Sequence, residues 1–534
     1  QDLVRQHIEF LLRLALTGTQ SVINFDGTYY ATLGRKLIAG DISGGISAYW
    51  SPLYPFLTGI ASLFTSDLEF AGRLVSVLAG SLLIIPGYIL IREFYGSAAA
   101  VLGTIVLVIH PSLLVSSVWV MTEATYIVIF TSMVVCGWRA VSAGEPKYYF
   151  ATGLFLGLAY LTKPESIAFV GLFLVLAVGM KFLLPGIALR SVVMGGVLLA
   201  FGFSIFFLPY FIHLHQKTGH WTISQKISRN VPSMGAEKGF LRLTDDGSTT
   251  MRDRLINDVY DTEQLARKPA AVEQTATTPK TWSSRISELV SRSLGNLILQ
   301  AREHEPLILP RSFLLFVILG FVCAPRNVTS VAREIYLLAI VACTILGYAA
   351  TVVEARYSFA LIPIVFGWTS RGILDFVRLV KQFWPRFDQA DKRLREKVLA
   401  GTILLLLIFF LVPLFPELFE LGNISSTRLE EKQAGLWIKE HGKADRPVTV
   451  MSSSPIVAFY AGANHIHVPD EEFPTVLEYA KRKNVEYLVF GQGLLRDTPN
   501  AFPKDENGTP GLSLVYKDEH DPDLRVLIWE LSEE

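Results

Sequence analysis

Phe94–Trp138 is a run of 45 residues in which Glu123 is the one charged side chain. A helix crossing the hydrocarbon of a bilayer needs about 20 mostly apolar residues, so this run can supply two spans meeting near Glu123. Similar stretches without Asp, Glu, Lys or Arg recur at Leu74–Ile91, Tyr148–Thr162, Ser166–Met180, Ser191–Gln216, Ser312–Pro325, Ile335–Val353, Tyr357–Ser370 and Val398–Pro416. Counting Phe94–Thr122 and Ala124–Trp138 separately, the chain offers ten candidate transmembrane helices. Leu53–Phe64 is apolar but short and Pro-bounded, and reads as an interfacial helix. Composition agrees: 51% of the 534 residues are hydrophobic and 18% charged, against about 25% charged in ordinary soluble domains. With 48 basic and 48 acidic residues the chain has no net charge, so no global field points to nucleic acid. Cys136, Cys323 and Cys343 lie in apolar runs with no CxxC or Cys/His cluster, which argues against disulfides and thiolate metal sites.

Ten spans place both ends of the bundle on one side, and the distribution of Lys and Arg says which. Short connections containing Arg92, Arg139 and Lys147, Lys181 and Arg190, and Arg326 and Arg333 form one set. Arg371–Lys397, with eight basic and four acidic residues, belongs to it, and this set is expected in the cytoplasm. The opposite set comprises residues 1–69, the turns at Glu123 and Pro164, the loop 212–310, the turn at Glu354 and the tail. From Gly422 that tail carries 12 basic and 19 acidic residues, a net of −7. Three regions follow: a first extracytoplasmic loop (1–69), a transmembrane bundle (70–421) that includes the loop 212–310, and a soluble tail (422–534). Within the long loop, Ser284–Ala301 has the apolar spacing of an amphipathic helix. In the tail, helical patterns at Leu429–His441 and Phe473–Lys483 alternate with strand-like VTVMSS, VEYLVFG, LSLVYKD and LRVLIWEL, which predicts a small α/β domain.

The outer turns collect the polar residues. Asp26 opens a helical stretch in NFDGTYYATLGRKLIAGD beside Tyr29 and Tyr30. It reads either as a helix N-cap or as a carboxylate at the mouth of a cavity. Glu123 fits the outer end of a helix, where a charge avoids the penalty of about 2.5–3.5 kcal/mol at a span centre. His110, before Pro111, reads as a structural histidine. Lys163 and Glu165 in LTKPES, and Glu354, Arg356 and Tyr357 in EARYS, occupy two further outer turns. Each admits a bland reading as a polar connection or a snorkelling side chain. Together, Asp26, Glu123, Lys163 and Arg356 fall on one face of the membrane, an arrangement suited to a lipid-linked phosphate held by cations. His213, His215 and His220 are close in sequence but lack a carboxylate at ligand spacing, so no metal is indicated there.

FDGTYYATLGRKLIAGD, YWSPLYPFLTGIASLF and EFAGRLVSVLAGSLLIIPGYILIREFYG together resemble the opening of the GT-C membrane glycosyltransferases. The similarity is to the branch of the lipid A aminoarabinose transferases and the dolichyl-phosphate-mannose protein mannosyltransferases. MTEATY, GLFLGLAYLTKPES and EARYSFALIPI resemble later landmarks of that branch, and QAGLWIKEHG and VEYLVFG resemble its extracytoplasmic tails. The resemblance covers most of the chain outside 212–310. It implies an all-α polytopic GT-C bundle with a C-terminal extracytoplasmic α/β domain. It further implies that Asp26 is the catalytic base or acceptor-orienting group, that Glu123 is a second acidic position in the cavity, and that Lys163, Arg356 and Tyr357 meet the donor phosphate. Arg73 matches a family arginine that can be structural, and Tyr29, Tyr30, His110, Glu165 and Glu354 are expected as cavity or supporting residues. Two departures stand out. Relatives often carry an acidic pair where this chain has Asp26-Gly27, and members of the branch have a membrane helix before the aspartate loop. Residues 1–25 do not span, so a first helix is expected to have been lost or to lie upstream, for eleven in the complete protein.

The implied activity is inverting transfer of one sugar from a polyprenyl-phosphate monosaccharide to a lipid, glycan or protein acceptor outside the cytoplasm, in an inner membrane. No cofactor is expected; a divalent metal is compatible with the chemistry but not indicated. Two other classes remain open. A transporter or flippase of lipid-linked sugars predicts inverted repeats and polar groups at mid-membrane. A non-catalytic scaffold predicts that Asp26 and Arg356 are dispensable.

Overall fold

The computed structural model describes residues 10–226, 282–323, 327–383 and 428–532, with short gaps at 12, 352, 443–445, 470–471, 492–510 and 519–525, and isolated positions between 401 and 412. Among the described residues, six helices are long and apolar enough to cross a membrane: Leu68–Tyr95, Glu123–Ala143, Pro164–Leu183, Leu189–Thr218, Val328–Ala349 and Ala355–Val380. Each answers to one of the ten expected runs. The run Phe94–Thr122 is instead two helices, Ser97–Ile109 and Pro111–Val118, bent by 51°. The break falls where Pro111 disfavours helical geometry at His110, whose ψ is 121°. Tyr148–Thr162 becomes the 17-residue helix Pro146–Thr162, and Ser312–Pro325 the short apolar helix Arg311–Val322. The tenth run, Val398–Pro416, lies almost wholly outside the described residues.

The membrane-facing surface follows from side-chain spacing. On Leu189–Thr218 the exposed Leu189, Val193, Val197, Phe201 and Ile205 repeat every four residues along one stripe, the pattern of a helix face that meets lipid. The opposite faces pack into one continuous core that includes Phe130, Trp138, Tyr160, Phe173, Tyr336 and Phe366.

A second, smaller core sits beneath the first loop. It joins Val22, Ile23, Tyr29, Tyr30, Leu33, Trp50, Tyr54, Val120 and Met121 with Ile456 of the tail. The helices Phe25–Ile38 and Leu53–Ala61 cross here at close range. A Cβ on Gly34 would lie 2.6 Å from the Pro55 carbonyl oxygen, and one on Gly59 would lie 2.6 Å from that of Gly34, so only glycine permits the contact. A helix is present in the expected stretch as Leu53–Ala61, with Phe56 and Ile60 exposed. The expected amphipathic helix in the long loop appears as Trp282–Leu299.

The tail is a five-stranded mixed sheet in the order β2-β1-β3-β5-β4. The strands are β1 (Thr449–Ser452), β2 (Asn464–His467), β3 (Tyr487–Gly491), β4 (Leu512–Asp518) and β5 (Val526–Leu531). β1 runs parallel to β2 and β3, and β5 runs antiparallel to β3 and β4. Helices Leu429–His441, Pro455–Ala461 and Phe473–Arg482 complete the domain. The four expected strands are all present; β2 was not foreseen.

Candidate active site

Four chain reversals carry the site. Asn24, with extended backbone, precedes the helix Phe25–Ile38, so Asp26 lies in the first turn rather than at the cap. The N-cap reading of Asp26 is therefore replaced: its charge suits the helix N-terminus, but its side chain reaches Arg356. Glu123 is the first residue of Glu123–Ala143. Lys163 ends Pro146–Thr162 in an extended conformation before Pro164. Arg356 sits in the 3-10 turn Ala355–Leu361. The ends of three helices and one turn thus converge on a single cleft. Asp26, Tyr30, Glu123, Lys163, Glu165, Arg356 and Tyr357 line it, together with Tyr49, Trp50, Ser51, Met121 and Lys226.

Arg356 organises the charges. Its Nη1 donates to Asp26 Oδ2 at 3.2 Å, its Nε lies 3.7 Å from Glu123 Oε1, and Nε also donates to Glu354. Lys163 Nζ donates to Glu123 Oε1 at 3.1 Å and stands 4.6 Å from the Tyr357 ring centroid. The two carboxylates are not equivalent. The Glu123 side chain is 3% exposed and shared between two cations, whereas that of Asp26 is 21% exposed. Glu123 is held between Lys163 and Arg356, and Asp26 is the more exposed of the two carboxylates.

Gly27 explains why no acidic pair stands at this point. A Cβ there would lie 2.7 Å from the Val120 carbonyl oxygen, so a larger residue would push the helix away from the Val120–Glu123 turn. Asn24 reinforces the contact by accepting a hydrogen bond from the Val120 N–H at 3.3 Å.

Aromatic side chains floor the cleft. Trp50 stacks on Tyr29 at 4.9 Å and meets Tyr30 edge-on at 5.3 Å. Tyr29 is fully buried behind Trp50 and does not line the cleft, whereas Tyr30 does. Burial pushes the Tyr30 phenol well above its ordinary pKa, with Asp26 and Glu123 adding to the effect, so it is a neutral hydrogen-bonding group at any physiological pH. Lys226 was not foreseen. It reaches back from the long loop to lie 5.9 Å from the Trp50 ring. Burial opposes its charge, and the Glu165 carboxylate in the same cleft favours it.

Other expected residues fall elsewhere. His110 is fully buried, its Nε2 3.0 Å from the Ile308 carbonyl oxygen, and is absent from the cleft lining. Arg73 lies below the site, where it donates to the Thr17 and Gln20 carbonyls and pairs with Glu69. Glu354 is a half-exposed partner of Arg356 rather than part of the lining. His213 and His215 have separate partners: the Ile46 carbonyl at 3.2 Å and the Trp221 ring at 3.9 Å. Among the described residues no group of three His, Cys, Asp or Glu could hold a metal ion.

Residues 50–212 match the family model described as dolichyl-phosphate-mannose-protein mannosyltransferase. The structure is similar to that of ArnT from Cupriavidus metallidurans bound to undecaprenyl phosphate, with a TM-score of 0.58 and 12% identity over 99% of this chain and 97% of that one. The chain has the GT-C fold. A second GT-C comparison, ArnT from the same organism in the apo state, gives a TM-score of 0.57 and 13% identity, covering 99% and 98% of the two chains. The archaeal oligosaccharyltransferase of Archaeoglobus fulgidus, in its apo form, is similar at a TM-score of 0.50 and 14% identity over 92% of this chain and 70% of that one. No curated protein sequence matches this chain.

Proposed function

We propose that the protein is a membrane glycosyltransferase that moves one sugar from a polyprenyl-phosphate donor to an acceptor by inverting single displacement. The observation that carries this reading is the Arg356 guanidinium held between a sealed carboxylate, Glu123, and a reachable one, Asp26, with Lys163 and Lys226 in the same cleft. The similar ArnT structure with undecaprenyl phosphate supports a lipid-phosphate ligand.

In this mechanism the donor phosphate enters beside Arg356, Lys163 and Lys226. The acceptor nucleophile approaches the sugar carbon from the side opposite the phosphate. As its bond to that carbon forms, the carbon–phosphate oxygen bond breaks, the electron pair leaves on the phosphate, and the acceptor proton passes to Asp26. The cations stabilise the growing phosphate charge in a partly desolvated cleft, where one well-placed donor is worth about 10²–10³ in rate. Phosphate is a good leaving group, so no side chain has to protonate it. The site faces the extracytoplasmic side of an inner membrane in this reading, and the tail lies on that side too.

The test is purified full-length protein in lipid nanodiscs, supplied with a panel of radiolabelled polyprenyl-phosphate monosaccharides and candidate glycolipid, glycan and peptide acceptors. Label moving to an acceptor from one donor supports the proposal and names the sugar. Donor carried across the bilayer with its sugar intact would establish a flippase instead.

A further inference from the structure

The first loop is not held by the bundle alone. Between Thr17 and Asn24 the backbone has little regular structure, yet its polar groups are tied down at successive points. Arg73 donates to the carbonyls of Thr17 at 2.8 Å and Gln20 at 2.7 Å. Lys432, from the tail, donates to the Ser21 carbonyl at 2.7 Å. Tyr460, also from the tail, accepts a hydrogen bond from the Ile23 N–H at 2.9 Å and donates its own proton to Glu69 Oε2 at 2.7 Å. Glu69 in turn pairs with Arg73. The soluble domain therefore enters the network at two places, both within five residues of Asp26. Ile456, one turn before Tyr460, is fully buried in the aromatic core that also contains Tyr30 and Trp50.

We propose that Tyr460 is a positioning residue: through Ile23 and Glu69 the soluble tail sets the start of the helix Phe25–Ile38, and so the place of Asp26 opposite Arg356. The inference rests on the reading of Asp26 as the base. The physical reason is geometric. A helix whose first turn is fixed by hydrogen bonds at Ile23 and Asn24 has no freedom to slide along Val120, and Asp26 lies two residues inside it. Without the Tyr460 hydroxyl, the Ile23 N–H loses its partner and the Glu69 carboxylate loses its hydrogen bond to the tail, keeping there only Lys432 at 3.9 Å. The Phe side chain keeps the packing, so the domain itself is left intact.

The first readout is hydrogen–deuterium exchange on full-length protein in nanodiscs, comparing wild type with Tyr460→Phe. Exchange is expected to rise severalfold or more at residues 20–28 while the sheet strands stay as in wild type; unchanged exchange at 20–28 overturns the inference. The second is a kinetic cycle with Asp26→Asn. Tyr460→Phe is expected to lower kcat about tenfold, as for loss of a hydrogen bond to a charged group, with KM for the donor unchanged. In the Asp26→Asn background it is expected to cost nothing further. Additive losses, or a wild-type kcat in Tyr460→Phe, would overturn the inference and leave the functional reading standing. A wild type that transfers sugar from no donor would overturn the functional reading and the inference with it.

Discussion

Arg356 Nη1 donates to Asp26 Oδ2 at 3.2 Å across 330 residues of chain. The contact joins the first loop to one of the last outer turns of the bundle, and it sets the resting state of the site. The guanidinium is divided among Asp26, Glu123 and Glu354, so in the proposed mechanism the donor phosphate competes for a cation already in use. Arg356→Lys keeps the charge but not the planar fork that spans two carboxylates. It is expected to lower kcat/KM by about 10²-fold, in the range found for loss of one transition-state donor, as read by initial-rate kinetics with the cognate donor.

Lys163 and Glu123 form a buried pair at 3.1 Å, with side chains 8% and 3% exposed. Breaking a buried pair from one side costs about 3–5 kcal/mol where the remaining charge is left alone, and here Arg356, 3.7 Å from Glu123, offsets part of that cost. Lys163→Met is expected to lower the thermal midpoint in detergent strongly, and Glu123→Gln introduced with it to recover most of the loss. A double variant no more stable than Lys163→Met would show that the pair is not what matters.

Lys226 Nζ stands 5.9 Å from the Trp50 ring centroid, and among the described residues it has no ion pair within 4.0 Å. In the proposed mechanism its charge serves the cleft more than the fold. Lys226→Gln is expected to weaken binding of polyprenyl phosphate about tenfold, roughly 1.4 kcal/mol, with the thermal midpoint unchanged. Isothermal titration and a melting curve on the same sample separate the two effects.

His465 is expected to give the tail an acid sensitivity of its own. His465 is fully buried on β2, its Nε2 3.0 Å from the Ser452 carbonyl oxygen, and burial with nearby His467 lowers its pKa to about 3. A histidine depressed below its ordinary value near 6.5 contributes stability that is complete above that pH and is lost as pH falls toward the folded value. Glu430, raised by burial to about 7, acts in the opposite sense, favouring the folded state as it protonates. His465→Asn is therefore expected to flatten the loss of tail stability between pH 6.5 and 5, measured by denaturant titration of Trp529 fluorescence. An unchanged acid limb would place the sensitivity elsewhere.

The sequence made the site legible because charge is scarce in it. In so apolar a chain, Asp26, Glu123, Lys163 and Arg356 stand out, and the Lys/Arg asymmetry placed all four on one side. Their convergence on one cleft is what that sidedness implies. Lys226 was hidden because it lies in a long polar loop where a lysine is unremarked and no period marks it. The bend at His110 had a visible cause in Pro111, but an uncharged run hides where one helix stops and the next begins. β2 is four residues, Asn464–His467, with polar residues at three of its positions, too short and too polar to read as a strand. The docking of Tyr460 on Ile23 spans 437 residues, and no local pattern reports a contact of that reach.

The most direct test of the account is the transfer rate of Asp26→Asn, with donor binding measured on the same preparation. The amide cannot take the acceptor proton, and removing the Asp26 charge frees Arg356 for phosphate. The account predicts a fall in kcat of about 10²–10⁴-fold, the usual worth of a general base, with donor affinity equal to or tighter than wild type. An Asp26→Asn protein that transfers sugar at the wild-type rate would contradict it.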